Sequence, residues 1–138
     1  MTRREVIEYC LTFLTAYEDY PFDVVVDDNA ATVMRHKGNK KSFALIMRHG
    51  GDLYLNLKCH PFDGDFLRDA FESVIPGYHM NKNHWITVVL DKGKTEQYVC
   101  DVPDDLIRQL VGQSYNLIKP KMRSSSLKRT RRAAKEQR

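Results

Sequence analysis

Residues 32–58 read TVMRHKGNKKSFALIMRHGGDLYLNLK. Three apolar-rich runs, Thr32–His36, Ser42–Arg48 and Asp52–Lys58, are separated by Lys37-Gly38-Asn39-Lys40 and by His49-Gly50-Gly51. The first holds a glycine and an asparagine and the second a pair of glycines, residues that tight turns favour. In the third run Leu53, Leu55 and Leu57 alternate with Tyr54, Asn56 and Lys58. Alternation of this kind puts an apolar row on one face of a strand and a more polar row on the other. The pattern predicts an antiparallel meander of three strands.

Helices are expected on both sides of the meander. Thr2-Arg3-Arg4-Glu5 has the form of a capping box. Ile7, Cys10, Leu11, Leu14 and Tyr17 recur at helical spacing, which predicts a first helix that ends before Pro21. Val24-Val25-Val26 reads either as a short strand or as loop, since Asp27-Asp28-Asn29 soon interrupts it. After the meander, Pro61 and Asp63-Gly64 break the sheet. Phe66, Leu67, Ala70, Phe71 and Val74 predict a second helix of about three turns, stopped by Pro76-Gly77. A strand over Trp85–Leu90 follows, and Tyr98-Val99-Cys100 is a candidate for one more. Pro103 suits the first position of a last helix, with Asp104 and Asp105 facing its positive end. Its apolar stripe is Leu106, Ile107, Leu110, Val111, Leu117 and Ile118, and Pro120 marks its end. The expected fold is α+β: a single antiparallel sheet of roughly four to five strands, covered on one face by the N- and C-terminal helices.

The chain has 138 residues, 42% of them apolar, enough for one domain with a core. No apolar run reaches the length of a membrane span, and the first residues lack the apolar segment of a signal peptide. A cytoplasmic location is therefore expected. Cys10, Cys59 and Cys100 are odd in number and contain no CxxC, which argues against a disulfide framework or a zinc knuckle. The net charge of +4 hides a split. Residues 119–138 carry nine basic side chains against one acidic, whereas residues 1–118 carry 13 basic against 17 acidic. A globular domain over residues 1–122 is expected, followed by a basic tail over 123–138 with too little apolar surface to fold.

Three places invite a functional reading. The first is PGYHMNKNHWITVVLD, residues 76–91. His79 and His84 lack the three or four convergent ligands a metal needs. No nucleophile with a partner motif and no phosphate-binding glycine loop accompanies them. Neither an enzyme nor a cofactor is expected. Asn81 and Asn83 suit a loop-to-strand joint, their amides satisfying backbone groups. Within it His79, His84 and Trp85 are candidates for a surface cleft, with Lys82 at its rim. The second place is the turn with Arg35, Lys37, Lys40 and Lys41, which suits phosphate binding or, more plainly, protects strand edges from pairing. The third is the tail, with Lys128, Arg129, Arg131 and Arg132. Such arms add affinity for nucleic acid, stay solvated, or clasp an acidic surface of the chain itself.

Tyr20-Pro21-Phe22, Leu55-Asn56-Leu57-Lys58-Cys59, the run from Pro76 to Trp85, and Ser114-Tyr115 together resemble the YjbR/MmcQ family. The resemblance covers about residues 1–118 and leaves out the tail. It implies an α+β fold similar to frataxin (CyaY) and to secretion chaperones. It also implies a proposed role in binding double-stranded DNA through hairpin wings, and it brings no established catalytic activity with it. Combined with the basic regions, the expectation is a non-enzymatic, low-specificity duplex-DNA binder acting through the hairpin, Lys82 and the basic arm. The alternative is a protein-interaction or chaperone-like module that uses the sheet face, in a homodimer or with another protein.

Overall fold

A computed structural model describes residues 1–94 and 97–121. Its elements are α1 (Arg3–Cys10), β1 (Ala16–Asp19), β2 (Thr32–His36), β3 (Ser42–His49), β4 (Asp52–Lys58), α2 (Pro61–Ala70), β5 (Val74–Pro76), β6 (Trp85–Asp91) and α3 (Asp104–Ile118). The six strands form one sheet in the order β1-β2-β3-β4-β6-β5, and every neighbouring pair is antiparallel. The α+β class and the meander β2-β3-β4 are as expected. The sheet is larger than the four to five strands expected.

Both extra strands come from segments whose spacing predicts helix. The capping box forms in full at Thr2 and Glu5, yet α1 stops at Cys10. Turn hydrogen bonds from Thr12 N to Tyr9 O and from Ala16 N to Phe13 O redirect the chain. Residues 16–19 then pair with the outer edge of β2, Ala16 opposite His36 and Asp19 opposite Val33. Pairing satisfies backbone groups that a longer helix would have satisfied internally, and Leu14 is left 95% exposed. In the second case, Pro61 does not merely break the sheet. It opens α2, where its missing N–H costs nothing. The helix ends at Ala70, Phe71 is extended, and Val74–Pro76 pair with β6 as an edge strand, a position that tolerates proline. Val24-Val25-Val26 and Tyr98-Val99-Cys100 are not strands.

The core lies between the sheet and the three helices. Met34, Ala44, Ile46, Leu55, Leu57, Ile86 and Val88 are fully buried on the sheet side, facing Val6, Ile7, Ile107 and Val111. Ser114 fixes α3 to the sheet: its hydroxyl donates to Phe43 O (2.6 Å) and accepts from Lys58 N (2.9 Å). On the opposite face Leu45, Asn56 and Thr87 stand side by side across β3, β4 and β6. Thr87 Oγ1 donates to Asn56 Oδ1 (2.5 Å), and Asn56 Nδ2 donates to Leu45 O (3.3 Å). Tyr78 N donates to Thr87 Oγ1 (2.9 Å), so the loop after β5 folds over this polar seam.

Candidate nucleic-acid interface

The β2–β3 turn is a fastened corner. Lys40 N donates to His36 O (2.8 Å), and Lys40 adopts the left-handed conformation with φ of 60°. Gly38 N donates to His36 Nδ1 (2.8 Å), and Lys41 N donates to Asn39 Oδ1 (3.0 Å). Two further bonds tie the corner down. Lys37 N donates to Thr15 O (2.8 Å), and Asn39 Nδ2 donates to Ile118 O at the end of α3 (2.7 Å). A Cβ on Gly38 would stand 3.0 Å from Pro120 Cγ, so the turn and the end of α3 touch. The buried His36 ring stacks on Tyr115 of α3, with centroids 5.6 Å apart. Lys37, Lys40 and Lys41 are exposed, and none forms an ion pair among the described residues. Arg35 differs from them: its Nε holds Asp19 at 2.7 Å and its guanidinium donates to Lys40 O, which braces the turn from inside.

Strand register places more lysines at the same end of the sheet. This end is where β2 finishes, β3 begins, β4 finishes at Lys58 and β6 begins at Trp85. Lys58 pairs with Trp85, and Cys59 N donates to His84 O (2.8 Å). Lys119 and Lys121 follow α3 at this end and are exposed. Lys82 lies in the loop that enters β6. Asp63 and Asp65 at the start of α2 are the acidic residues nearby, and Asp65 pairs with Arg68. Lys128, Arg129, Arg131 and Arg132 lie outside the described residues.

The opposite end gathers aspartates. Asp19 closes β1, Asp52 opens β4, Asp91 closes β6, and Asp104 and Asp105 open α3. Asp23, Asp27 and Asp28 lie in the loop between β1 and β2. Arg3 reaches Asp28 at 3.9 Å, and the terminal ammonium reaches Asp104 at 3.3 Å.

In the joint at residues 77–85 the Asn81 side chain serves a backbone group as expected, whereas the Asn83 side chain makes no hydrogen bond among the described residues. Asn81 O accepts from His84 N and Trp85 N, and Asn81 Oδ1 accepts from Asn83 N. Lys82 Nζ donates to Gly77 O (3.2 Å). Gly77 is required because a Cβ there would meet Trp85 Cβ at 2.8 Å. Trp85 is half-buried, while His79 and His84 are exposed and diverge in their neighbours. His79, with φ of 57°, packs at 4.1 Å against Tyr78, whose hydroxyl contacts the His49 ring at 3.0 Å. Among the described residues no group of three or more His, Cys, Asp or Glu converges as a metal site. Cys59, His60 and Asp63 line a cavity of about 210 Å³ with Gln113, Asn116 and Leu117. Burial pushes the Cys59 thiol above its ordinary value, and the nearby Arg68 opposes the shift. No helix among the described residues is long and apolar enough to cross a membrane.

The sequence matches the YjbR family model over residues 11–117. The uncharacterised protein YyaQ of Bacillus subtilis (strain 168) is 35% identical over 129 residues, covering 86% of this chain and 99% of that one. The uncharacterised protein YjbR of Escherichia coli (strain K12) is 31% identical over 115 residues, covering 83% of this chain and 85% of that one. A crystal structure of a Pseudomonas syringae protein superposes with a TM-score of 0.70 at 29% identity, covering 86% of this chain and all of that one. A Deinococcus radiodurans protein superposes with a TM-score of 0.70 at 30% identity, covering 93% of this chain and 86% of that one.

Proposed function

The chain belongs to the YjbR family, and we propose that it is a non-enzymatic cytoplasmic protein that binds duplex DNA with little sequence specificity. One observation carries this reading: the fastened turn, the end of β4 and the end of α3 bring Lys37, Lys40, Lys41, Lys58, Lys119 and Lys121 to one end of the sheet. Lys121, the last described residue, lies at that same end, and the basic segment follows it in sequence. Lysines held on a rigid corner neutralise phosphates without reading bases, and a basic arm adds affinity in the same sequence-independent way. Arg35 supports the corner from Asp19 and leaves the phosphates to the lysines. Lys82 extends the basic surface along the β6 side.

A salt-dependent titration with duplex DNA tests this. Full-length protein is expected to bind at low salt with a steep salt slope. A variant lacking residues 123–138 is expected to bind much more weakly and with a shallower slope. Equal binding by the two removes the arm from the proposal, and absence of binding by both removes DNA.

A second reading has its own observation. Phe22, Val24, Val25 and Val26 are 71%, 103%, 70% and 57% exposed on the loop after β1. An apolar loop of this kind suits a protein partner or a second copy of the chain. The expected likeness to frataxin (CyaY) and to secretion chaperones belongs with this reading. Partners that stay attached after nuclease treatment favour it over DNA.

A further inference from the structure

The aspartate end contains a cleft of about 480 Å³ on the sheet face away from the helices. Its size falls within the roughly 300–1,000 Å³ typical of small-molecule sites. Tyr54, Ile75 and Val89 form its floor, one residue from each of β4, β5 and β6. Tyr98 walls one side. Its hydroxyl donates to Val89 O (2.6 Å) and stands 2.7 Å from Ser73 Oγ, which fixes the ring. Burial pushes both phenols, Tyr54 and Tyr98, above their ordinary range, so they present neutral aromatic faces. Asp101 also lines the cleft, but its carboxylate accepts Glu72 N (2.8 Å) and Ser73 N (2.9 Å) and serves as scaffold. Asp52 and Glu72 also line the cleft, beside Gln97 and Val99, and neither carboxylate has an ion-pair partner among the described residues.

One side chain already shows what such a cleft accepts. The Lys92 ammonium sits over the Tyr98 ring, 5.1 Å from its centroid. Lys92 is exposed, so its stem is free to swing outward. We propose that this cleft binds a small organic cation, an alkyl diamine, with one ammonium taking the place of Lys92 over Tyr98 and the other meeting the Asp52 and Glu72 carboxylates. Aromatic faces and unpaired carboxylates recognise that charge by cation–π attraction and ion pairing. The apolar floor of Ile75 and Val89 suits the methylene spacer. The site lies at the other end of the sheet from the lysine corner and does not depend on DNA binding.

The test is an NMR titration of the full-length chain with putrescine, with 1-butanol as the uncharged control. Saturable shifts centred on Tyr54, Val89 and Tyr98 are expected with putrescine and not with butanol. Glu72→Gln is expected to weaken binding about fivefold, and Lys92→Ala to tighten it about threefold because the resident cation is gone. A purely structural role for Lys92 would not produce tightening. The proposal is overturned by an unsaturable response, by shifts centred elsewhere, or by Lys92→Ala weakening binding or leaving it unchanged. A full-length variant with Lys128, Arg129, Arg131 and Arg132 changed to Gln supplies a further arm. Putrescine binding that appears only in this variant identifies the chain's own basic segment as the occupant and overturns the small-molecule site.

Discussion

The two ends of the sheet are made from the same strands and differ in how their charge is held. At the lysine end the backbone is fastened and the ammonium groups are left alone. Asn39, His36 and Arg35 hold the turn, while Lys37, Lys40 and Lys41 have no ion pair among the described residues. At the aspartate end several carboxylates are already engaged: Asp104 by the terminal ammonium, Asp105 by Arg108, Asp101 by backbone N–H groups. An unpaired charge on a rigid support is available to a partner at low entropic cost, whereas a charge consumed internally serves the fold. The lysine end therefore leaves its charges open to solvent, whereas the aspartate end spends several of its own as a clamp on the fold.

The most damaging challenge to this contrast is charge reversal at the corner. Lys37, Lys40 and Lys41 changed together to Glu should lower duplex affinity by about 100-fold at low salt, with the melting temperature nearly unchanged. Comparable losses from reversing Arg4 and Arg48 instead would abolish the distinction between the ends. Next in size is the support itself. Ser114→Ala removes the acceptor of Lys58 N and the donor to Phe43 O, and should cost about 1–3 kcal/mol in chemical denaturation. Asn39→Ala is milder. It should weaken DNA binding a few-fold, with about 1 kcal/mol of destabilisation, because the lysines remain and only their support loosens.

The smallest effect concerns pH at the clamp. Desolvation raises the Asp101 carboxyl, but hydrogen bonds from Ser73 and Glu72 outweigh it and hold the group below the ordinary Asp value. A folded value below the unfolded one means stability that is present above the unfolded value and lost as pH falls through the folded one. Thermal melts between neutral pH and about pH 3 should show wild type losing more stability on acidification than Asp101→Asn. Parallel curves would assign Asp101 no part in the clamp.

Much of this architecture could be read from local pattern. The ranges of β2 and β4 follow directly from alternation and turn residues, and α3 from its stripe and flanking prolines. The first helix was overextended because Leu11 and Leu14 fit a helical stripe, yet they are 38% and 95% exposed. Nothing local announces that residues 16–19 complete a sheet edge. Similarly, Val74 continues the spacing of α2 but belongs to a three-residue strand held by pairing with β6 and by burial of Val74 in the core. The site divides in the same way. The lysine turn and the joint at residues 76–85 stand out in composition. The gathering of Lys58 and Lys119 beside the turn depends on strand register and on one Asn39 side chain reaching Ile118, contacts separated by many residues. The cleft under Tyr98 has no local signature, because its walls come from four separate segments.

The orientation of α3 has a consequence of its own. Its N-terminus lies at the aspartate end and its C-terminus at the lysine end, so the partial charges of its backbone are offset by side chains of opposite sign at both tips. Among the described residues the exposed lysines at one end and the aspartates at the other separate charge along the strands. Near a polyanion such a body feels a torque before it touches anything. For the duplex partner proposed above, the lysine corner is expected to turn toward it during approach, so that orientation is chosen by the long-range field and only afterwards fixed by contact.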